Sequence, residues 1–310
     1  MYRWFFSLLL LVGLPVTGWT EGHYAAGVYG IRDFSAVPKG WYLQHYNVYY
    51  SSDRFKDRDG DSVKSVTVRG VTADVDLEVE VVSFAPNFFY MSDLELLGAK
   101  LGFFTGFSLA NTDINASVST AGQGLEIDDS SFGFGDPFFQ PLYMVWETEL
   151  ADYTFGYFFY APLGEFDSDA NDNIGLGYWS NNFQASATWF LDETKATAFS
   201  LFGTFEIHGE QEDSDFQPGN IVALEWGISQ YLSERLEVGV TGYHYWQVSD
   251  DKGVESPINL GRERVHGIGG QIGYWALQEE LQFSLRFLTE VGARSRFEGN
   301  LGVMEVIWVL

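Results

Sequence analysis

VDLEVEV, residues 75–81, alternates aliphatic and acidic side chains without interruption. The aliphatic residues carry odd numbers, and the acids, which begin at Asp74, carry even numbers. A strict period of two is typical of a β-strand with two different faces. The stretch therefore predicts a strand, and what its apolar face meets decides the kind of β protein.

Similar alternating segments recur along the chain, whereas helical periodicity is hard to find. In the segment that begins at Phe183, Phe183, Ala185 and Trp189 share one face, while Gln184 and Ser186 share the other. About twelve segments of this kind can be counted by the same criterion. They lie at residues 41–52, 74–90, 95–110, 138–149, 152–162, 182–191, 196–208, 219–232, 235–248, 264–277, 280–293 and 299–310.

The connections between these segments alternate between long and short. Long polar stretches such as PLGEFDSDANDN (162–173) are followed by short ones such as DETK (192–195). Outer-membrane barrels have this arrangement, with long loops at the cell surface and tight turns in the periplasm. A sheet in lipid must close, because lipid cannot satisfy an open edge. We therefore predict an all-β fold, a closed antiparallel transmembrane β-barrel of about twelve strands with long extracellular loops and short periplasmic turns.

Composition agrees with this class and excludes others. The 310 residues carry a net charge of −26, which argues against nucleic acid as a partner because phosphate would be repelled. The chain has no Cys, so disulfides and thiolate metal sites are excluded. Aromatic residues make up 17% of the chain. Those near the segment ends suit the aromatic girdles of a barrel; they are Trp41, Tyr42, Tyr178, Trp179, Tyr231, Trp246 and Trp308.

The N-terminus divides into two parts before the barrel. Residues 1–20 predict a signal peptide, with the apolar run FFSLLLLV (5–12) and a cleavage site between Gly18 and Glu21. The alternative is an N-terminal membrane anchor, for which the apolar run is short. Residues 21–40 are too rich in Gly and Pro for a strand. We expect them to fold into the periplasmic mouth as a plug, with His23 and Tyr24 near the path, or to form a disordered lead-in. Residues 41–310 form the barrel.

Six charged or polar residues are predicted to face the lumen and to line the substrate path. Glu206 and His208 lie two residues apart on one strand face, where they could line a path or hydrogen-bond across the barrel. Arg286 and Glu290 share a face, where they could set a constriction or form a salt bridge that stiffens the wall. The predicted lumen residues are Glu147, Glu206, His208, Glu225, Arg286 and Glu290.

The sequence raises two further kinds of site, a calcium loop and a catalytic centre. Asp57, Asp59 and Asp61 have the spacing of a calcium loop, although Val68 stands where a Glu is expected; the alternative is a solvated acidic loop. No nucleophile constellation stands out, so we expect no enzyme and no cofactor.

The opening stretch presents a problem of parity. From Val82 onward the apolar residues, including Phe84 and Phe88, carry even numbers. One explanation is a β-bulge near Val81 and Val82, with the apolar face of VDLEVEV on lipid and its acids in the lumen. The other is that VDLEVEV stands above the membrane in an extracellular collar, and that residues 82–90 make the crossing.

Several stretches together resemble a known family. They are GHYAAGVYGI from Gly22, YNVYYSSDRF from Tyr46, DDSSFGFGDPFFQPL from Asp128, TFEIHGEQEDSDFQPGN from Thr204, LEWG from Leu224, TGYHYWQVSDDKG from Thr241 and EVGARSRFEGN from Glu290. In this order the chain resembles the outer-membrane transporter family called "protein involved in meta-pathway of phenol degradation".

The resemblance implies a barrel in the outer membrane of a Gram-negative bacterium that admits small hydrophobic or aromatic compounds passively. It implies contact with outer-membrane lipid and lipopolysaccharide, and recognition of the terminal strand LGVMEVIWVL (301–310) by the barrel-assembly machinery; Leu310 stands where a Phe is common. The alternatives are a structural or adhesion barrel that transports nothing, and a secreted ligand-binding β-sandwich.

Overall fold

The computed structural model describes residues 22–68, 71–120, 123–168, 173–253, 261–277 and 280–310. The predicted signal peptide lies outside the described residues. Those residues form seventeen strands: β1 Gly40–Ser52, β2 Phe55–Lys56, β3 Ser65–Val68, β4 Val71–Leu96, β5 Ala99–Gly106, β6 Leu109–Thr120, β7 Gln123–Phe134, β8 Phe138–Glu147, β9 Ala151–Tyr160, β10 Ser180–Phe190, β11 Thr197–His208, β12 Ile221–Tyr231, β13 Leu236–Gln247, β14 Arg264–Ala276, β15 Leu281–Arg294, β16 Arg296–Phe297 and β17 Asn300–Val309.

The predicted barrel is confirmed. β1, β17, β15, β14, β13, β12, β11, β10, β9, β8, β5 and β4 follow one another as antiparallel neighbours. β1 pairs with β17 on one side and β4 on the other, which closes the ring. A closed ring of twelve strands excludes the β-sandwich.

The two faces of the barrel wall differ as a membrane requires. Apolar side chains on the outer face are exposed to the surroundings, among them Phe88, Phe155, Phe183, Ile228, Ile268, Leu285 and Phe287. Their neighbours along the strands point inward and include many polar residues. This apolar outer belt is the surface that meets lipid. Within the described residues, the structure contains no helix with the length and hydropathy of a membrane span.

Long and short connections alternate as predicted, with one correction. No alternating segment is predicted between residues 110 and 138, which would make this stretch a long connection, but most of it forms the strands β6 and β7. β4 pairs with β5 and β1 in the barrel and with β6 and β3 beyond it. The strands β3, the first half of β4, β6 and β7 thus make an extracellular sheet above the loop end of the barrel.

The strand β4 answers the parity question. Its register with β1 runs without a shift from Gly40↔Met91 to Ser52↔Val79, and its register with β6 is equally continuous. The predicted bulge near Val81 is therefore wrong. Odd-numbered residues point inward along this whole stretch: Val79 is 3% exposed, whereas Val82 is 47% exposed.

The prediction that the apolar face of VDLEVEV meets lipid is also wrong, because that face is buried inside protein. The structure agrees with the other explanation, in which VDLEVEV stands above the membrane in an extracellular collar. The apolar residues of this half of β4 belong to one hydrophobic cluster with Ile114 and Val118 of β6. The cluster includes Phe55 and Phe297 of the small sheet β2–β16, whose rings lie 5.2 Å apart.

Candidate functional site in the barrel lumen

Residues 22–39 lie inside the barrel, and we call them the inner segment. The segment begins near the loop end, where the backbone N–H groups of His23 and Tyr24 donate to the Glu206 carboxylate at 3.1 and 3.2 Å. The Tyr24 hydroxyl donates to Glu225. Glu206 and Glu225, two of the predicted lumen residues, thus bind this segment.

At mid-depth the segment contacts β14 and β15. The backbone N–H of Ile31 donates to Gln271 at 3.1 Å. Arg286 donates to the Val28 carbonyl and to Glu305 at 2.8 Å. Charge-assisted bonds of this kind are stronger than neutral ones, and they fix the segment on the polar side of the lumen.

Arg32 fixes the segment at the turn end of the barrel. Its Nε donates to Glu237 at 2.7 Å and to Ser229 at 2.9 Å. Its Nη atoms donate to the backbone carbonyls of Lys195 and Ala196, in the turn between β10 and β11, at 2.9 and 2.8 Å. The segment was expected only at the periplasmic mouth. It instead follows the lumen from the loop end to the turn end, because polar partners are spaced along that whole wall.

His23 ties the start of the segment to the loop end. Its ring is hydrogen-bonded to Ser180 at 2.7 Å and to Asp136 at 2.9 Å, and it stacks on Tyr160 at 4.5 Å. His23 and Asp136 both lie outside the strands. Although burial alone would lower it, the pKa of His23 is raised because Asp136 and Glu206 stabilise the charged ring. Burial would raise the pKa of Asp136, but its bond to His23 holds that pKa below the ordinary value.

The opposite side of the lumen is aromatic and holds two cavities. The larger, of about 220 Å³, is lined by His23, Val48, Val81, Phe138 and Tyr160 among others. The smaller, of about 70 Å³, lies toward the turn end and is lined by Phe34, Tyr42, Phe89, Phe104 and Tyr143 among others.

Tyr29 lines both cavities and stands between them. Its ring contacts those of Phe34 at 5.0 Å and Tyr46 at 5.7 Å. The inner segment is therefore bound along one side of the lumen and leaves two chambers on the other side, in which aromatic and aliphatic side chains outnumber polar ones.

The structure brings together most of the predicted lumen residues, but not all of them. Glu206, His208, Glu225, Arg286 and Glu290 are all buried and face inward. Within this set, His208 Nε2 lies 3.4 Å from Glu206.

Two predicted lumen residues behave differently from the expectation. Arg286 pairs with Glu305 rather than with Glu290, whose carboxylate accepts the hydroxyl groups of Tyr50 and Tyr243 at 2.8 and 2.7 Å. Glu147 is a correction: it lies half-exposed at the turn end of β8, 3.6 Å from Lys100. Glu147 has the odd parity of the inward residues, but it lies at the rim of the barrel, where its side chain meets bulk water.

The aspartates of the surface loop do not converge. The Asp57 carboxylate accepts the backbone N–H groups of Asp59 and Asp61, both at 2.9 Å, as in a tight turn. Among the described residues, no group of three His, Asp or Glu could hold a metal ion. The structure thus gives the predicted calcium site no support.

Sequence reasoning missed the aromatic cavity wall and the role of Tyr29. Strand parity places Phe89, Phe104 and Tyr143 inward, so the sequence does contain a signal for this wall. Asp136 gave no signal, since its partner His23 lies 113 residues away in sequence.

A closed barrel with an apolar belt and a polar, occupied lumen defines an outer-membrane β-barrel protein of a Gram-negative bacterium. Residues 52–305 match the family model "Putative MetA-pathway of phenol degradation", and the chain belongs to that family. No curated protein matches the sequence.

Solved structures of outer-membrane proteins are similar to this chain in fold. One is the COG4313 outer membrane channel from Pseudomonas putida F1, with a TM-score of 0.66 and 13% identity over 91% of this chain and 100% of that one. Another is a FadL homologue from Pseudomonas aeruginosa, with a TM-score of 0.44 and 9% identity over 95% of this chain and 98% of that one. The first likeness shows that the whole described barrel has a known fold.

Proposed function

We propose that this protein is a channel for the passive uptake of small hydrophobic or aromatic compounds across the outer membrane. The observation that carries the proposal is the aromatic side of the lumen, with its two chambers on either side of Tyr29. The family name, which refers to phenol degradation, agrees with this class of substrate. The similar structure from Pseudomonas putida F1 is described as an outer membrane channel, which agrees with a channel.

The size and chemistry of the larger chamber support the substrate class. Its volume of about 220 Å³ exceeds the roughly 150 Å³ that holds benzene in an engineered cavity. The lumen is rich in acids, which would disfavour aromatic carboxylates. Glu206, Glu225 and Glu237, however, are bound by the inner segment and lie on its polar side. The larger chamber also contains Asp136 and the smaller one Asp33, but most of what a neutral aromatic molecule meets in them is rings and aliphatic groups.

In this proposal the inner segment is a plug that narrows the path to the gap beside Tyr29. Passage requires the Tyr29 ring to turn aside or the segment to shift. No energy source or catalytic step enters, so flux follows the concentration gradient. The proposal also includes contact with lipopolysaccharide and delivery of the terminal strand to the barrel-assembly machinery.

The test is uptake of labelled phenol and toluene by vesicles that contain the purified protein. We expect Tyr29→Ala to raise the uptake rate several-fold, because it joins the two chambers. Tyr49→Ala is the matched control, since Tyr49 lies on the exposed outer face. Equal rates for wild type, Tyr29→Ala and empty vesicles would favour the structural or adhesion barrel.

A deletion tests the plug by itself. Removing residues 22–38 takes away the segment and leaves every strand in place, so the single-channel conductance in planar bilayers should rise. An unchanged conductance would contradict the plug while leaving the barrel intact.

A further inference from the structure

Two neighbouring strands present a pair of arginines on the outer wall of the barrel, at its loop end. Arg264 of β14 and Arg294 of β15 are direct cross-strand partners. Their neighbours Val265 and Ala293 are buried, so both arginines point outward. Directly opposed like charges destabilise a sheet. The chain has 43 acids and only 17 basic residues, yet two arginines lie side by side here.

These arginines have no acidic partner among the described residues. No described carboxylate lies within 4.0 Å of either guanidinium, whereas Arg32, Arg286 and Arg262 each have one. The Nε of Arg264 is buried and has no hydrogen-bond partner. A buried donor without a partner costs free energy, and an anion held between the two guanidinium groups would remove that cost.

The surroundings of the pair have the chemistry of an anion site at a membrane interface. Trp246, the cross-strand partner of Arg264 on β13, points outward as girdle tryptophans do. On the side toward the lipid belt, His266 lies on the same face as Arg264 and is hydrogen-bonded to His244 at 2.9 Å.

A third arginine approaches from the loop between β2 and β3. The backbone N–H of Ser295 donates to the Asp57 carbonyl at 3.1 Å, which brings exposed Arg58 to the same end of the wall. The Asp57 carboxylate of that loop is held by the turn it forms with Asp59 and Asp61.

We propose that Arg264 and Arg294 bind a phosphate group of the lipid A of lipopolysaccharide. The outer leaflet of this membrane is lipopolysaccharide, and its phosphates lie at the depth of the aromatic girdle. Arginine binds phosphate through two parallel N–H bonds, which suits a pair of guanidinium groups better than a point charge does. The inference rests on the outer-membrane location and not on the channel function, because both side chains lie outside the lumen.

The test is binding of lipopolysaccharide to the full barrel in detergent, followed by native mass spectrometry. The double variant Arg264→Gln/Arg294→Gln should bind at least about tenfold more weakly, since it loses hydrogen bonds to a charged group. The matched control Lys100→Gln/Arg235→Gln removes two exposed charges at the turn end. It should bind as wild type does.

Two further ligands separate lipid from phosphate. Wild type should bind dephosphorylated lipopolysaccharide about tenfold more weakly than the intact lipid, and inorganic phosphate far more weakly than either. Equal binding of intact and dephosphorylated lipid, or binding of inorganic phosphate as tight as that of the lipid, would overturn the assignment.

A conservative variant guards against a folding defect. Arg264→Lys/Arg294→Lys keeps both charges and loses the paired N–H geometry, so its affinity should fall between those of wild type and the Gln variant. The inference fails if either double variant folds, as judged by heat-modifiable mobility, and binds the intact lipid as wild type does. Aromatic uptake should be unchanged in all of these variants, so this result is independent of the proposed channel activity.

Discussion

The two halves of β4 have the same geometry and opposite chemistry. In the first half, residues 74–81, the inward residues are aliphatic and the outward residues are acids. In the second half, residues 82–91, the outward residues include Val82, Phe84 and Phe88, and the inward ones include polar Asn87. The register with β1 and with β6 continues across the junction, so the geometry of the strand is the same on both sides of it. What changes at the junction is the environment of the side chains.

This difference locates the boundary of the membrane. The last outward acid is Glu80 and the first outward apolar residue is Val82, so the lipid belt ends between them. Inside, the first half packs on an extracellular protein core, while Val81, Ala85 and Asn87 line the larger cavity. Alternation therefore gives the direction of each side chain, and only the neighbouring strands decide which environment that direction meets.

The largest effect should come from a charge placed on the outer face of the second half. Phe88→Arg puts a cation into lipid well below the boundary at Glu80, which costs about 2–4 kcal/mol at mid-depth. Glu78→Arg makes the same charge in the first half, where water already surrounds the side chain, and should change stability by no more than about 0.5 kcal/mol. The free energy of unfolding in lipid vesicles, measured by urea titration, gives both values. Equal costs would mean that the membrane does not end near Glu80.

The barrel could be predicted from the sequence because the patterns that indicate it are local. A period of two and the alternation of loop lengths are visible within ten to twenty residues of any point. The hairpin β6–β7 was missed because its strands are rich in Asn, Thr, Asp and Ser, which are typical of loops. Such residues are stable there because β6 pairs with β4 and its outward face meets water.

The site could be predicted only in part, because its contacts are distant in sequence. Parity alone placed Glu206, Glu225 and Arg286 inside. Their partners in the inner segment lie far away along the chain: His23 and Glu206 are separated by 183 residues. Parity also cannot tell depth, which is why Glu147 was assigned to the lumen although it lies at the rim.

A smaller effect is expected on the inner face of the first half. Val79→Ala removes two buried methyl groups, and at roughly 0.8 kcal/mol for each the loss is about 1.6 kcal/mol. The loss should be largest in the extracellular sheet, because Val79 is the cross-strand partner of Ile114 in β6. Hydrogen exchange of the β6 amides should become about tenfold faster, while exchange in β12 and β13 stays the same. Uniformly faster exchange would show that the sheet and the barrel unfold as one unit.

The smallest effect should come from pH, and it should appear at the start of the inner segment. The raised pKa of His23 gives stability that is fully present below its unfolded value of about 6.5 and is lost as the pH rises through the folded value. The lowered pKa of Asp136 gives stability that is present above its unfolded value of about 3.9 and is lost only as the pH falls. Raising the pH from 6 to 9 should therefore loosen the start of the inner segment, where His23 and Asp136 hold it.

The chain has no Cys, so a single spin label can report this loosening. A label at Ala25→Cys, beside the tie between His23 and Asp136, should gain mobility as the pH rises. A label at Glu78→Cys, on the outer face of the first half, should not respond. Adding Asp136→Asn should shift the change at Ala25 to lower pH, because the neutral amide no longer stabilises the charged ring. A pH response of equal size at both labels would show that the whole extracellular sheet moves with the segment, and the two halves of β4 would then not be independent.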